Sequence, residues 1–189
     1  SKLLIAAAEA AHRGRHADLF GVRFGPPEVD GRAVMKRVRE ERDRFVGFVV
    51  EAVEDWPERH RARAYARFRS DHELELSDGR VVEAERIVVA TGSRTNVPKM
   101  FDGLGDRLIV SDDVFDWQTL PGSVAVFGAG VVGLELGQAL HRLGVRVTLF
   151  GLDGLVGPLT DPQVRAAART AFEAEMAFHP DSEVTRCGR

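Results

Sequence analysis

The stretch Ser123-Val124-Ala125-Val126-Phe127-Gly128-Ala129-Gly130-Val131-Val132-Gly133 decides how this chain folds. Its first five residues predict a buried strand, and Leu134 to Leu143 follows with helical spacing before a second strand at Val145 to Phe150. In such a βαβ unit each glycine has its own duty. Gly128 permits the tight turn out of the strand, Gly130 lets the backbone approach a pyrophosphate, and Gly133 lets helix and strand pack closely. Backbone amides along Gly128 to Gly133, including those of Ala129, Val131 and Val132, then meet the phosphates. The helix dipole adds about half a positive charge at the same end. A glycine triplet alone is weak evidence, but one flanked by strand, helix and strand predicts a dinucleotide site.

In this arrangement the end of the second strand carries an acid for the adenosine ribose, roughly 20 residues beyond the glycines. Here Gly151 stands in that place, followed by Leu152 and Asp153, and no arginine suited to a 2′-phosphate occurs before Arg165. Asp153 is the candidate ribose acid. NAD is therefore the reading, with NADP left open. Thr160-Asp161-Pro162 opens a further helix, with Asp161 as its cap and Pro162 in its first turn.

Upstream, Ser1 to the alanine-rich run that follows reads as helix interior, so the chain is expected to begin inside an element. Gly21 to Asp30, with Pro26 and Pro27, is a loop. Val34, Val38, Phe45, Val49, Ala52 and Trp56 recur at helical steps and predict a long helix from Asp30 to about Trp56, its charged residues forming a solvated face. Ala64 to Phe68, Glu73 to Leu76 and Val81 to Glu83 alternate as an antiparallel meander, with a turn at Ser77 to Arg80. Arg86 to Gly92 is an apolar run ending at glycine, the pattern of a buried parallel strand whose end faces a ligand. Asn96 to Leu120 reads as a crossing segment, in which Asp112, Asp113 and Asp116 suit turns and caps rather than a metal. Glu183 to Thr185 is expected to start a strand, and both ends look cut.

At 189 residues, 44% hydrophobic and 29% charged, the composition is globular. Twenty-six basic against 29 acidic residues leave a net charge of −3, which recruits neither nucleic acid nor an anionic membrane. No run approaches the roughly 20 apolar residues of a membrane span, so a cytoplasmic protein is expected. The single cysteine, Cys187, forms no disulfide within this sequence and is read as incidental. The six histidines lack ligand or nucleophile spacing and are read as surface or capping residues.

Taken together, these pieces resemble the pyridine nucleotide-disulfide oxidoreductases, most of all the dihydrolipoamide dehydrogenase branch. Ser1-Lys2-Leu3-Leu4 is similar to the segment following the family's redox cysteine pair. Ala90-Thr91-Gly92-Ser93-Arg94 with Pro98 resembles the strand end that closes its FAD domain, and Ser111-Asp112, Leu120-Pro121 and Gly128 to Glu135 follow in the family's order. The resemblance implies an α/β fold: part of an FAD-binding domain at 1–119 (helical 1–56, β-rich 62–92, linker 93–119) and part of a Rossmann-type NAD(P)-binding domain at 120–189. It implies FAD contacts at Lys2, Thr91, Gly92 and Ser93, and a Lys2–Glu135 ion pair linking the two cofactor sites. The redox cysteines and the family's catalytic histidine and glutamate have no counterparts here. No catalytic residue is therefore assigned to the chain, which is expected to be inactive alone and to bind FAD poorly.

The implied parent is a homodimer that moves electrons from a dithiol through a cysteine pair and FAD to NAD. Its dithiol is read as dihydrolipoamide, on the lipoyl domain of a 2-oxoacid dehydrogenase complex. Glutathione reductase, mercuric reductase and soluble transhydrogenase share the framework, some of them with NADP. A non-catalytic nucleotide-binding module is the competing reading from another class. A simple one-domain nicotinamide dehydrogenase is disfavoured, because it leaves the first 120 residues without a role.

Overall fold

The computed structural model describes residues 1–23 and 25–185, so Cys187 lies outside the described residues. Two compact units are present, one formed by Ser1–Arg44 with Val97–Arg189, the other by Phe45–Asn96. Helix α1 (Lys2–Arg15) starts beside Ser1, whose carbonyl accepts from the amides of Leu4 and Ile5. Leu4, Ala8 and Ala11, spaced by one helical turn each, form its buried stripe. Helix α2 (Gly31–Glu54) begins where Asp30 caps it, Oδ1 accepting from the amides of Arg32 and Ala33 at 2.9 and 3.0 Å. Met35 and Val38 are buried, whereas Phe45, Val49 and Trp56, on the same predicted face, stay exposed. Apolar periodicity marks a face able to be buried, not what covers it.

The second unit holds the expected meander. β1 (Ala66–Phe68) pairs antiparallel with β2 (Glu73–Leu76), and β2 with β3 (Val81–Glu83), in register Glu73↔Glu83 and Glu75↔Val81. Gly79 closes the hairpin at φ +87°, a conformation L side chains adopt rarely, and its amide donates to the Leu76 carbonyl at 2.9 Å. The predicted strand at Arg86 to Gly92 is corrected: these residues form no strand, and Val88 is 87% exposed. An apolar run becomes a parallel strand only when a neighbour takes its backbone hydrogen bonds, and the described strands of this unit already pair with one another.

Returning to the first unit, the crossing segment contains two 3-10 turns, Lys99–Arg107 and Asp113–Asp116. Its acids do local work: Asp113 accepts from the Val110 amide at 2.8 Å, and Asp116 takes Arg42 of α2. Arg39 and Arg42 also donate to the carbonyls of Trp117 and Phe115, fastening the segment to α2.

The βαβ unit is as expected: β4 (Ser123–Phe127), α3 (Val131–Arg142) and β5 (Arg146–Phe150), with Ser123↔Arg146 through Phe127↔Phe150 in parallel register. Helix α4 (Pro162–Glu175), capped by Asp161, leads to β6 (Ala177–His179), which pairs parallel to β5, so the sheet order is β4-β5-β6. Residues 183–185 form no strand, against expectation. β4 is not fully buried either: it alternates half-buried and exposed residues, because one of its faces packs on the core and the other is left largely uncovered. Val124 and Val126 pack on the core, while Phe127 lies on the other face between the rings of Phe101 and Phe150.

Two apolar clusters hold this unit. One joins α1, α2 and α3 through Leu4, Ala8, Met35, Val38, Leu136 and Leu140 to Val145 and Val147. The other gathers Ala129, Leu134, Leu149, Val156, Met176 and Phe178 directly beneath the glycine turn.

Candidate dinucleotide site

The three glycines stand in three different physical situations. Gly128 has φ +116°, and its amide donates to the Phe150 carbonyl at 2.8 Å, so the turn leaves β4 while still tied to the end of β5. At Gly133 a Cβ would stand 2.0 Å from the Gly128 carbonyl oxygen, a backbone atom with nowhere to go. Gly130 is unlike both. Its φ of −71° suits any residue, and a Cβ there would meet nothing within 4 Å. Nothing inside the chain requires a glycine at 130; what a side chain would obstruct is the space in front of the turn.

That space faces the start of α3, which no side chain caps and whose first turn carries no acid. The unpartnered amides and positive end of such a helix suit an anion. Val131 and Val132 are exposed in this first turn, Ala129 is buried behind it, and Glu135 is half-buried one turn further on. A pyrophosphate fits this donor set on chemical grounds, since it needs backbone amides and close approach rather than side chains.

Beyond β5 the chain folds back onto the turn. The Gly157 amide donates to the Ala129 carbonyl at 2.7 Å, and Val156 packs in the cluster containing Ala129 and Leu134. Gly151, in the place of the ribose acid, is buried against Ala129 and Pro180. Asp153 is exposed two residues later. Sequence reasoning missed Gly157 and Val156, which carry no local signal. It also missed Gly137, where a Cβ would lie 3.0 Å from Leu149 Cδ1. The four-residue step from Gly133 to Gly137 places both on one helical face and was the available clue.

The residues assigned to FAD are divided between the units. Lys2 is exposed at the start of α1, and Thr91, Gly92 and Ser93 are exposed in the second unit, Gly92 with φ +74°. No ion pair between Lys2 and Glu135 occurs among the described residues.

A polar network at the other ends of the helices was not foreseen. Arg142 of α3 holds Glu175 of α4 at 2.5 Å and Glu9 of α1 at 3.3 Å, and Gln138 donates to Glu175 at 2.7 Å. His12 of α1 lies 3.9 Å from Glu175. Burial opposes ionisation of Glu175, but hydrogen bonds from Arg142 and Gln138 outweigh it and hold the carboxyl below its usual range. Burial, aided by Arg142 and His16, pushes His12 below its ordinary value.

Comparison with known proteins bears on the chain as a whole. A dihydrolipoyl dehydrogenase from Thermus scotoductus is 32% identical over 185 residues, covering 93% of this chain and 37% of its own length. A mercuric reductase from Shigella flexneri is also 32% identical, over 93% of this chain and 32% of that protein. The chain thus spans about a third of the length of these curated relatives. The solved structure of the Cu(II) complex of the HOCl-induced flavoprotein disulfide reductase RclA from Escherichia coli superposes with a TM-score of 0.76 and 19% identity, covering all of this chain and 40% of that one. It shares the fold. The pyridine nucleotide-disulphide oxidoreductase family matches residues 5–188, nearly the whole chain, and the protein described here belongs to that family.

Proposed function

We propose that this chain is the central part of an FAD-dependent oxidoreductase that passes two electrons from a dithiol to NAD through a redox disulfide outside these 189 residues. The observation that carries the reading is Gly130, a glycine that neither conformation nor packing requires, at the open start of an uncapped helix. Residues 120–189 would hold the nicotinamide dinucleotide, and 1–119 would supply part of the FAD domain. The dithiol is dihydrolipoamide, presented by a lipoyl domain, and the complete protein works as a cytoplasmic homodimer in thiol redox homeostasis. A mercuric reductase-like parent using NADP is the second reading, favoured by the equal identity to that relative.

In this scheme the amides from Gly128 to Gly133 bind and orient the pyrophosphate, while Val131 and Val132 limit access of water to it. Lys2 and Glu135 would be drawn together across the two cofactor sites, each neutralising the other's charge. NAD, when bound, would supply the hydride acceptor, and the balanced reaction would be dithiol and NAD+ to disulfide, NADH and one proton.

Three measurements test this: the intact mass of the purified protein, its absorption between the near ultraviolet and the blue, and NADH formation on adding dihydrolipoamide and NAD. A flavin spectrum with dithiol-dependent NADH supports the reading. A mass equal to 189 residues with no flavin and no turnover supports the expectation that this chain is inactive alone. Failure to bind nicotinamide dinucleotide would sink the assignment of Gly128 to Gly133.

A further inference from the structure

The loop that follows β5 reaches back to the glycine turn, where the Gly157 amide donates to the Ala129 carbonyl at 2.7 Å. Gly157 has φ +54°, yet a Cβ there would meet only Leu134 Cδ1, at 3.5 Å, an ordinary contact. Backbone conformation, not space, requires this glycine, the reverse of Gly133. Its neighbour Val156 is 1% exposed, in the cluster with Ala129, Leu134 and Leu149. The loop is fixed behind as well: the Gly154 amide donates to the Pro180 carbonyl at 3.1 Å, and the Gly151 amide to the His179 carbonyl at 2.8 Å. Gly157 thus meets Ala129 from a held position. Gly151 leaves Ala129 little room to withdraw, since a Cβ on Gly151 would stand 2.7 Å from Ala129 Cβ.

The peptide group joining Ala129 to Gly130 is planar and trans, so its carbonyl and its N–H point in opposite directions. With the carbonyl drawn to Gly157, the Gly130 N–H points away from the loop. That N–H donates to no group among the described residues. Gly130 also lacks the Cβ that would resist a rotation of this peptide group. The residue that lets a ligand approach therefore leaves the peptide group free to turn, and the bond from Gly157 supplies the restraint.

We infer that Gly157 is a positioning residue for the dinucleotide site: through the Ala129 carbonyl it holds the Ala129–Gly130 peptide group so that the Gly130 N–H is presented to the pyrophosphate. This rests on the reading of Gly128 to Gly133 as the nucleotide site. Without the bond, a rotated peptide group would aim its carbonyl, a partial negative charge, where the N–H belongs, and repel the phosphates. A donor fixed before the ligand arrives costs less to order on binding.

The test is calorimetric titration of the purified protein with NADH, for the wild type, Gly157→Val, Gly157→Asn and Asp161→Ala. Valine is disfavoured at positive φ and must shift the loop, whereas asparagine adopts the left-handed conformation and keeps the amide in place. Asp161→Ala removes the cap of α4 rather than a bond to the glycine turn, and controls for a loss of stability alone. Gly157→Val should weaken NADH binding about tenfold, the worth of one misdirected hydrogen bond to a charged group. Gly157→Asn should stay within about threefold of the wild type, and Asp161→Ala should bind as the wild type does. If Gly157→Val does not fold, as judged by its melting curve, Gly157→Ala takes its place, with a smaller loss and the same order of variants. Wild-type affinity in the valine or alanine variant, an equal loss in Gly157→Asn, or an equal loss in Asp161→Ala overturns the inference and leaves the nucleotide site standing. A wild type that does not bind NADH overturns the site itself and the inference with it.

Discussion

A Cβ placed on Gly133 would stand 2.0 Å from the carbonyl oxygen of Gly128, while one placed on Gly130 would meet nothing within 4 Å. The same added methyl group therefore separates folding from binding. Gly133→Ala must push α3 away from the turn, and overpacking of this kind destabilises by about 1–3 kcal/mol. Gly130→Ala should melt within about 0.5 kcal/mol of the wild type, as substitutions free of new contacts do, yet lose nicotinamide-dinucleotide binding. Thermal melts and calorimetric titration of both variants check the pair. Intact binding in Gly130→Ala would count against the site.

The cap of α4 gives a second prediction. Asp161 Oδ1 accepts from the amides of Gln163 and Val164 at 2.8 and 3.0 Å. Asp161→Ala leaves both donors to water and should lower stability by about 1 kcal/mol, with Asp161→Asn or Asp161→Ser recovering most of it. Urea denaturation would show the midpoint moving with unchanged slope.

These elements were legible because their causes are local. Gly128, Gly130 and Gly133 announce their turn by spacing, Asp161-Pro162 announces a helix start, and Gly79 follows Asp78 at the tip of an alternating hairpin. Arg86 to Gly92 misled because a parallel strand is made by its neighbours. Phe45, Val49 and Trp56 pointed correctly to the helix and yet stay exposed, since periodicity names a face without supplying its cover. The burial of Gly151 needed three-dimensional contacts with Ala129 and Pro180, far apart in sequence. The network around Arg142 was invisible for the same reason: Glu9, His12, Gln138 and Glu175 come from three helices.

His12 yields a pH prediction. Burial is the main cause that holds it below its ordinary value of 6.5, so the folded protein favours the neutral ring. The unfolded chain then binds a proton more readily, and stability should decline as pH falls below about 6.5 and through the depressed folded value. Groups facing His12 act on it from three helices: Glu9 and His16 of its own segment, Arg142 and Glu175 across the packing. His12→Gln should flatten stability in this window, read as melting temperature against pH. An unchanged profile would show that another group governs it.

Arg142 joins α1, α3 and α4 by pairing with both Glu9 and Glu175, at 3.3 and 2.5 Å. Because the side chains of Arg142 and Glu175 are only about one-fifth exposed, 20% and 23%, truncating one leaves the other poorly solvated. Arg142→Ala should lower stability by about 1–2 kcal/mol, the range for charge-assisted hydrogen bonds discounted for partial exposure. Glu175→Gln should be milder, since the amide oxygen still accepts from Arg142, and it should remove the loss of stability expected as pH falls below the usual carboxylate range. If the pair acts as a unit, the double variant will be less unstable than the sum of the singles, by about 0.5 kcal/mol or more. Strict additivity in chemical denaturation would mean that the two side chains contribute through separate contacts, Arg142 through Glu9 and Glu175 through Gln138.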